Sequence, residues 1–181
     1  MRVIGIDPGT VITGWGVVEY RDRKFRHIAN GSIRTTAKSP LPDRLGTIFR
    51  ALSQIIGEHQ PTMASVEEVF VSRNVQSALK LGHARGVAIA AANQAGLPIH
   101  EYTALQVKKS VVGYGRAEKS QVQEMVKILL CLPKIAQEDA SDALAAAMCH
   151  INHAPPLKTI APHKESLRDY TPLPIPEGLT L

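Results

Sequence analysis

Four carboxylates in this 181-residue chain have the types and spacing to do chemistry: Asp7, Glu67, Asp139 and Asp142. Asp7 ends an apolar run, Arg2-Val3-Ile4-Gly5-Ile6-Asp7, and leads into Pro8-Gly9-Thr10. Glu67 ends a second such run, Met63-Ala64-Ser65-Val66-Glu67. Asp139 and Asp142 are three residues apart, so on a helix they share a face. Acids gathered from such distances repel one another, and divalent cations are the common remedy. A pocket of that kind serves a metal-dependent phosphodiesterase. Each motif alone also has a plainer reading. Asp7 suits a turn cap, and acids in the first turn of a helix favour its dipole and cap it.

The elements that must position these acids follow from the hydrophobic period. Residues 2–8 read as a buried strand, Thr13–Tyr20 as a second and Lys24–Thr35 as a third, in an antiparallel meander. Leu45, Ile48, Phe49, Leu52, Ile55 and Ile56 then follow a helical stripe, opened by Pro42-Asp43 and closed before Pro61. Met63–Val69 returns to strand, Asn74–Ala95 reads as a helix, and Ile99–Tyr102 as a short strand. From Ala104 the pattern is helical, broken at Gly113-Tyr114-Gly115 and at Pro133, with helices over Glu118–Leu130 and Asp139–His150. Such an order predicts an α/β fold with a mixed sheet covered by helices. Glu67 lies on the face of Asp7 if its strand runs parallel beside the first, and Glu68 points the other way. The alanines at 140, 143 and 145–147 let the last helix approach the sheet closely.

A net charge of +5 and 44% hydrophobic residues suit a soluble globular protein with one sizeable core. Lys158, Lys164 and Arg168 balance Glu165, Asp169 and Glu177. The positive excess therefore lies in residues 1–150, and a polyanion partner is a fair inference. No apolar stretch has membrane-spanning length, and the first strand begins without a leader, so a cytoplasmic location is expected. Cys131 and Cys149 match neither a zinc nor a redox spacing and read as buried free thiols. Residues 1–153 form the expected catalytic domain. The last 31 residues hold half of the twelve prolines, and 154–181 read as a Pro-rich, flexible tail.

The ordered series of motifs resembles the RuvC Holliday-junction resolvases, from Arg2 to about His150. It comprises Gly5-Ile6-Asp7-Pro8-Gly9-Thr10 with Thr13-Gly14-Trp15-Gly16, Glu67-Glu68-Val69-Phe70, and Asn74 with Ser77-Ala78-Leu79-Lys80-Leu81-Gly82 and Ala84-Arg85-Gly86. It continues through Gln106-Val107-Lys108, Val111-Val112-Gly113, Ala117-Glu118-Lys119-Ser120-Gln121-Val122, and Asp139 to Ala145. The resemblance implies a ribonuclease H-like fold with a mixed five-stranded sheet, three strands antiparallel and two parallel. It implies that Asp7, Glu67, Asp139 and Asp142 bind two Mg²⁺, with Mn²⁺ able to substitute, and that Lys108 and Lys119 serve the scissile phosphate. Paired symmetric nicks in a four-way DNA junction, leaving 5′-phosphate and 3′-hydroxyl ends, would follow. A homodimer and contact with the branch-migration proteins RuvA and RuvB are further implications.

Arg73, Lys80 and Arg85, with Asn74, surround one strand-to-helix stretch and are candidates for DNA backbone contact. Phe70 and Tyr114 are candidates for stacking at an opened junction. Ala78, Gly82, Gly86 and Ala90 recur every four residues and mark a face for close helix approach, assigned by the resemblance to the dimer interface. His150 and His153 could be a metal pair, but cationic side chains suit a helix carboxyl end. Two other functions compete. An actin-like ATPase would use the Asp-Pro-Gly-Thr turn but needs two such domains. A non-catalytic junction-binding module would not need all four acids. A related RNA-processing group shares the first motif without the Lys108 and Lys119 region.

Overall fold

The computed structural model describes residues 1–68 and 75–154. Its strands are β1 (Arg2–Asp7), β2 (Ile12–Arg21), β3 (Lys24–Arg34), β4 (Met63–Glu67) and β5 (Ile99–Tyr102). Its helices are α1 (Leu41–His59), α2 (Val75–Gln94), α3 (Ala104–Val112), α4 (Lys119–Leu129) and α5 (Glu138–His153). The strands form one sheet in the order β3-β2-β1-β4-β5. β1 pairs antiparallel with β2, and β2 with β3, while β1–β4 and β4–β5 are parallel. The three antiparallel and two parallel strands are those expected from the sequence.

β1 is central and buried on both faces, which its unbroken apolar run requires. Ile4 and Ile6 pack with Ile48, Leu52 and Ile56 of α1 and Ala88, Ala91 and Ala92 of α2. Val3 on the opposite face packs with Val107, Val126, Leu144 and Met148 of α3–α5. α5 is the most deeply buried helix, with every residue from Ala143 to Ile151 buried. Small residues on both partners allow this. A Cβ on Gly5 would lie 1.8 Å from the Ala143 carbonyl oxygen and 2.8 Å from the Ala147 nitrogen.

Element ends follow local capping chemistry. Pro42 falls in the first turn of α1, where a missing N–H costs nothing, and the helix opens at Leu41. Thr103 and Gln106 form a capping box at the start of α3, and Gly113 ends that helix in the left-handed region. α5 extends three residues beyond the expected end at His150. Two cysteine and histidine expectations change. Cys149 is buried, but Cys131 is exposed, because it sits at φ 51° in the tight turn that leaves α4. His150 is buried rather than placed at a solvated helix end. Its Nδ1 lies 2.8 Å from the Tyr102 hydroxyl and its ring stacks on His100 at 4.1 Å. Burial first, then the neighbouring His100 and His153, push its pKa down to about 4, so it is a neutral core side chain.

Candidate active site

The site is built at the carboxyl edge of the parallel strands. Ile6 of β1 is level with Val66 of β4, so Asp7 and Glu67 leave the sheet side by side. Glu68, one residue on, is exposed but does not point away as expected: β4 ends at Glu67, so strand alternation no longer governs Glu68, and it lines a cleft with Asp7. α5 brings the other two acids across the same edge. Gly14 is the partner of Asp7 in β2, and a Cβ there would meet the Asp139 carbonyl oxygen at 2.0 Å. The first turn of α5 can therefore rest on the strand ends only because position 14 has no side chain. Asp142, one turn on, lines a cleft with Glu67, Lys108 and Lys119. An adjoining cleft joins Asp7 and Glu68 to the same Glu67, Lys119 and Asp142.

Burial and mutual repulsion shape the charge state of this pocket. Asp7 is pushed up to about 7, first by burial, then by Asp142, Glu67 and Asp139, with Lys119 opposing the rise. Glu67 is raised by burial and by Asp142, against Lys119 and Lys108. Lys119 donates to Asp142 and Glu138, both at 2.7 Å. Burial would lower its pKa, but these two partners outweigh that and hold it above the usual lysine value. Asp142 is raised in spite of the same contact, because burial exceeds the attraction of Lys119 and Glu138 and Asp139 add to it. The two shifts pull opposite ways on one ion pair. The short contact decides for the charged pair, since a protonated Asp142 would leave the ammonium with only the more exposed Glu138.

The turn after Asp7 is fastened by Thr13 of the first motif and by two groups the sequence does not single out, Thr35 and Arg44. Thr13 Oγ1 donates to the Gly9 carbonyl at 2.7 Å. Thr35 Oγ1 donates to the Thr10 carbonyl at 2.6 Å, and Arg44 Nε reaches the same oxygen at 3.0 Å. Arg44 is only 8% exposed and makes no ion pair among the described residues, so its role is to hold this turn. At the start of α5, Gln137 accepts from the Ala140 N–H at 3.2 Å and donates to the Asp139 carboxylate. Glu138, also unremarked in the sequence, shares Lys119 with Asp142. Among the described residues no three acids, histidines or cysteines are drawn together tightly enough to hold an ion. Lys119 on Asp142 and Gln137 on Asp139 are the contacts that take up two of the four carboxylates.

The chain as a whole has relatives among known proteins. Residues 3–150 match the family described as "Crossover junction endodeoxyribonuclease RuvC". The chain belongs to the RuvC family. The RuvC of Syntrophotalea carbinolica is 59% identical over 150 residues, covering 83% of this chain and 93% of that protein. A structure of Thermus thermophilus RuvC in complex with a Holliday junction substrate matches with a TM-score of 0.80 and 34% identity. It covers 84% of this chain and 94% of that one. The yeast mitochondrial Holliday junction resolvase Ydc2, with a TM-score of 0.59 at 10% identity, shares the fold. The fold is the ribonuclease H-like α/β fold of these resolvases, and this RuvC family member is an endodeoxyribonuclease, a hydrolase of phosphodiester bonds.

The remaining site expectations fall in different places. Lys108 lines the acid cleft. Tyr114 is 47% exposed between α3 and α4, and Lys80 is exposed on α2. Arg85 forms an ion pair with Glu101 of β5, which ties α2 to the sheet edge. Phe70, Arg73 and Asn74 lie outside the described residues. Ala78, Gly82, Gly86 and Ala90 line one shallow apolar groove with Leu45, Leu79 and Val87. A Cβ on Gly82 or Gly86 would meet nothing within 4 Å, so packing inside the subunit does not explain these glycines. Among the described residues no helix is long and apolar enough to cross a membrane.

Proposed function

We propose that this chain resolves Holliday junctions by metal-assisted hydrolysis in the pocket of Asp7, Glu67, Asp139 and Asp142. The observation that carries this reading is the electrostatics of Asp7, raised to about 7 by burial and by the other three acids. A divalent cation removes that repulsion, and an all-oxygen donor set suits Mg²⁺ or Mn²⁺. The four carboxylates fit such an ion by type and gather at one sheet edge; with Asp142 exchanged from Lys119 and Asp139 from Gln137, they would hold two Mg²⁺ per subunit. Held by these carboxylates, such a metal would supply an activated water and charge stabilisation for the leaving 3′ oxygen, the chemistry that yields 5′-phosphate and 3′-hydroxyl ends. Lys108 and Lys119 bring positive charge to the scissile phosphate. Lys119 must then exchange part of its contact with Asp142 for the substrate.

Paired nicks need two sites, which a homodimer with two-fold symmetry supplies to a nearly two-fold junction. We assign its interface to the α2 face of Ala78, Gly82, Gly86 and Ala90, where Leu79 is 59% exposed. Lys80, Arg85 and Tyr114, with Phe70, Arg73 and Asn74, are the DNA contacts of this reading, Arg85 being held in place by Glu101. A duplex held this way can be delivered by RuvA and RuvB. Residues 1–153 make up the catalytic domain and 154–181 a Pro-rich extension. The test is Asp7→Asn with a synthetic four-way junction. Cleavage is expected to vanish while binding in chelator stays close to that of the parent. Retained cutting would remove Asp7 from the chemistry.

A further inference from the structure

The β2–β3 hairpin is closed in a way that local structure does not favour. Its two turn residues, Asp22 and Arg23, have φ of 54° and 59°. A two-residue turn of this kind prefers Asn-Gly or Asp-Gly, because a side chain is strained in the left-handed region. Asp22 suits its place, whereas arginine at 23 does not. The flanking pair is Arg21 opposite Lys24, and like charges facing each other across strands are unfavourable. Four exposed cations, Arg21, Arg23, Lys24 and Arg26, crowd this end of the hairpin, where Asp22 is joined only by Glu19, which faces Arg26 across the strands and is already ion-paired with Arg2. Asp22 lies 3.8 Å from Arg21 and 3.5 Å from Arg26, and Arg23 and Lys24 have no acidic partner among the described residues.

The charge continues beyond the tip. From residue 23 to residue 42 the chain carries Arg23, Lys24, Arg26, Arg34 and Lys38 and no aspartate or glutamate. Most of this stretch is β3, an edge strand with its outer side open. Edge strands are often guarded by charge, but guarding works with either sign and does not require arginine in a strained turn. Arg34 pairs with Ile12 at the active-site end of β2, and Lys24 pairs with Arg21 at the other. Eleven residues of strand at about 3.3 Å each span roughly 35 Å, close to one turn of duplex at about 34 Å.

We propose that the cationic tip of the β2–β3 hairpin, Arg21, Arg23 and Lys24, is a contact for the phosphate backbone of a duplex arm leaving the active site. The inference rests on the resolvase reading and adds a contact surface to it. The tip lies seven residues along β2 from Gly14, the partner of Asp7, or about 23 Å. It therefore touches the arm some seven base pairs from the reacting bond and positions the substrate without reading sequence.

The triple variant Arg21→Gln, Arg23→Gly, Lys24→Gln tests this, because Asp22 followed by glycine is a favoured turn. Binding to a synthetic four-way junction with 20-bp arms is measured in chelator from about 50 to 250 mM salt. Each phosphate that the variant no longer neutralises lowers the slope of log K against log salt by about 0.9, so a fall of roughly 2 to 3 is expected. The melting temperature should not fall. A control replaces Arg50, Lys127 and Lys134 by glutamine. A parent-like slope in the triple variant overturns the proposal, and so does an equal fall in the control, which would assign the effect to net charge. Failure of the parent itself to bind and cut the junction would instead sink the resolvase reading.

Discussion

Asp7→Asn should make the metal-free protein more stable at pH 8. The carboxyl rises from 3.8 to about 7 on folding, so the folded state holds its proton more tightly than the unfolded chain. The sign follows. Below about pH 4 the group is protonated in both states and costs nothing. Between pH 4 and 7 the unfolded chain ionises first, and stability is lost until the folded pKa is passed. About three units at 1.36 kcal/mol each sets a ceiling near 4 kcal/mol. Water at the mouth of the cleft screens part of this, leaving about 1–2 kcal/mol. At roughly 2–4 °C per kcal/mol for a chain of this size, asparagine should raise Tm by about 2–8 °C at pH 8. Thermal melts of parent and variant in chelator, from pH 4.5 to 8.5, give the result. The gap should close toward pH 4.5. A variant that melts at or below the parent at pH 8, or a gap independent of pH, would refute the reasoning.

Other substitutions probe the scaffold. Gly5→Ala forces a methyl to within 1.8 Å of the Ala143 carbonyl and should cost about 1–3 kcal/mol or more by overpacking. It should also depress cleavage, because α5 carries Asp139 and Asp142; a parent-like Tm would contradict the close approach. Lys119→Ala should slow cleavage at least tenfold yet change stability by under about 1 kcal/mol, since its side chain is half exposed. Unchanged turnover would reduce Lys119 to a surface ion pair. Gly82→Leu meets open space in the monomer and removes a helix-interior glycine, so Tm should hold or rise by the equivalent of up to about 1 kcal/mol. Sedimentation should nevertheless show a weakened dimer, and an intact one would remove this face from the interface.

The parts of the fold that were legible in the sequence are those governed by local rules. Asp7 and Glu67 end apolar runs at turn signals, and parallel pairing alone sets them level. The alanines of α5 and the glycines at 5 and 14 report close approach because both surfaces lack side chains. Contacts fixed by tertiary packing were not legible. Lys119, at the start of α4, meets Glu138 at the start of α5, and no period in the sequence ties them. Arg44 reaches Thr10 from the start of α1, and nothing in the helical stripe of α1 points to that contact. Arg85 looked like a free cation on α2 until β5 brought Glu101 beside it. Cys131 was expected in the core because thiols are usually buried, but the left-handed turn after α4 directs it outward. In β3, by contrast, the missing acids were visible in the sequence. Their meaning needed the register that sets Arg21 against Lys24.

The measurement that bears most directly on the central claim is strand mapping on a synthetic four-way junction, with and without Mg²⁺. Four acids acting as one metal site in each of two subunits should yield symmetric nicks on opposing strands, with 5′-phosphate and 3′-hydroxyl ends, only when metal is present. Nicking that persists in chelator, or an intact junction in excess Mg²⁺, would contradict it.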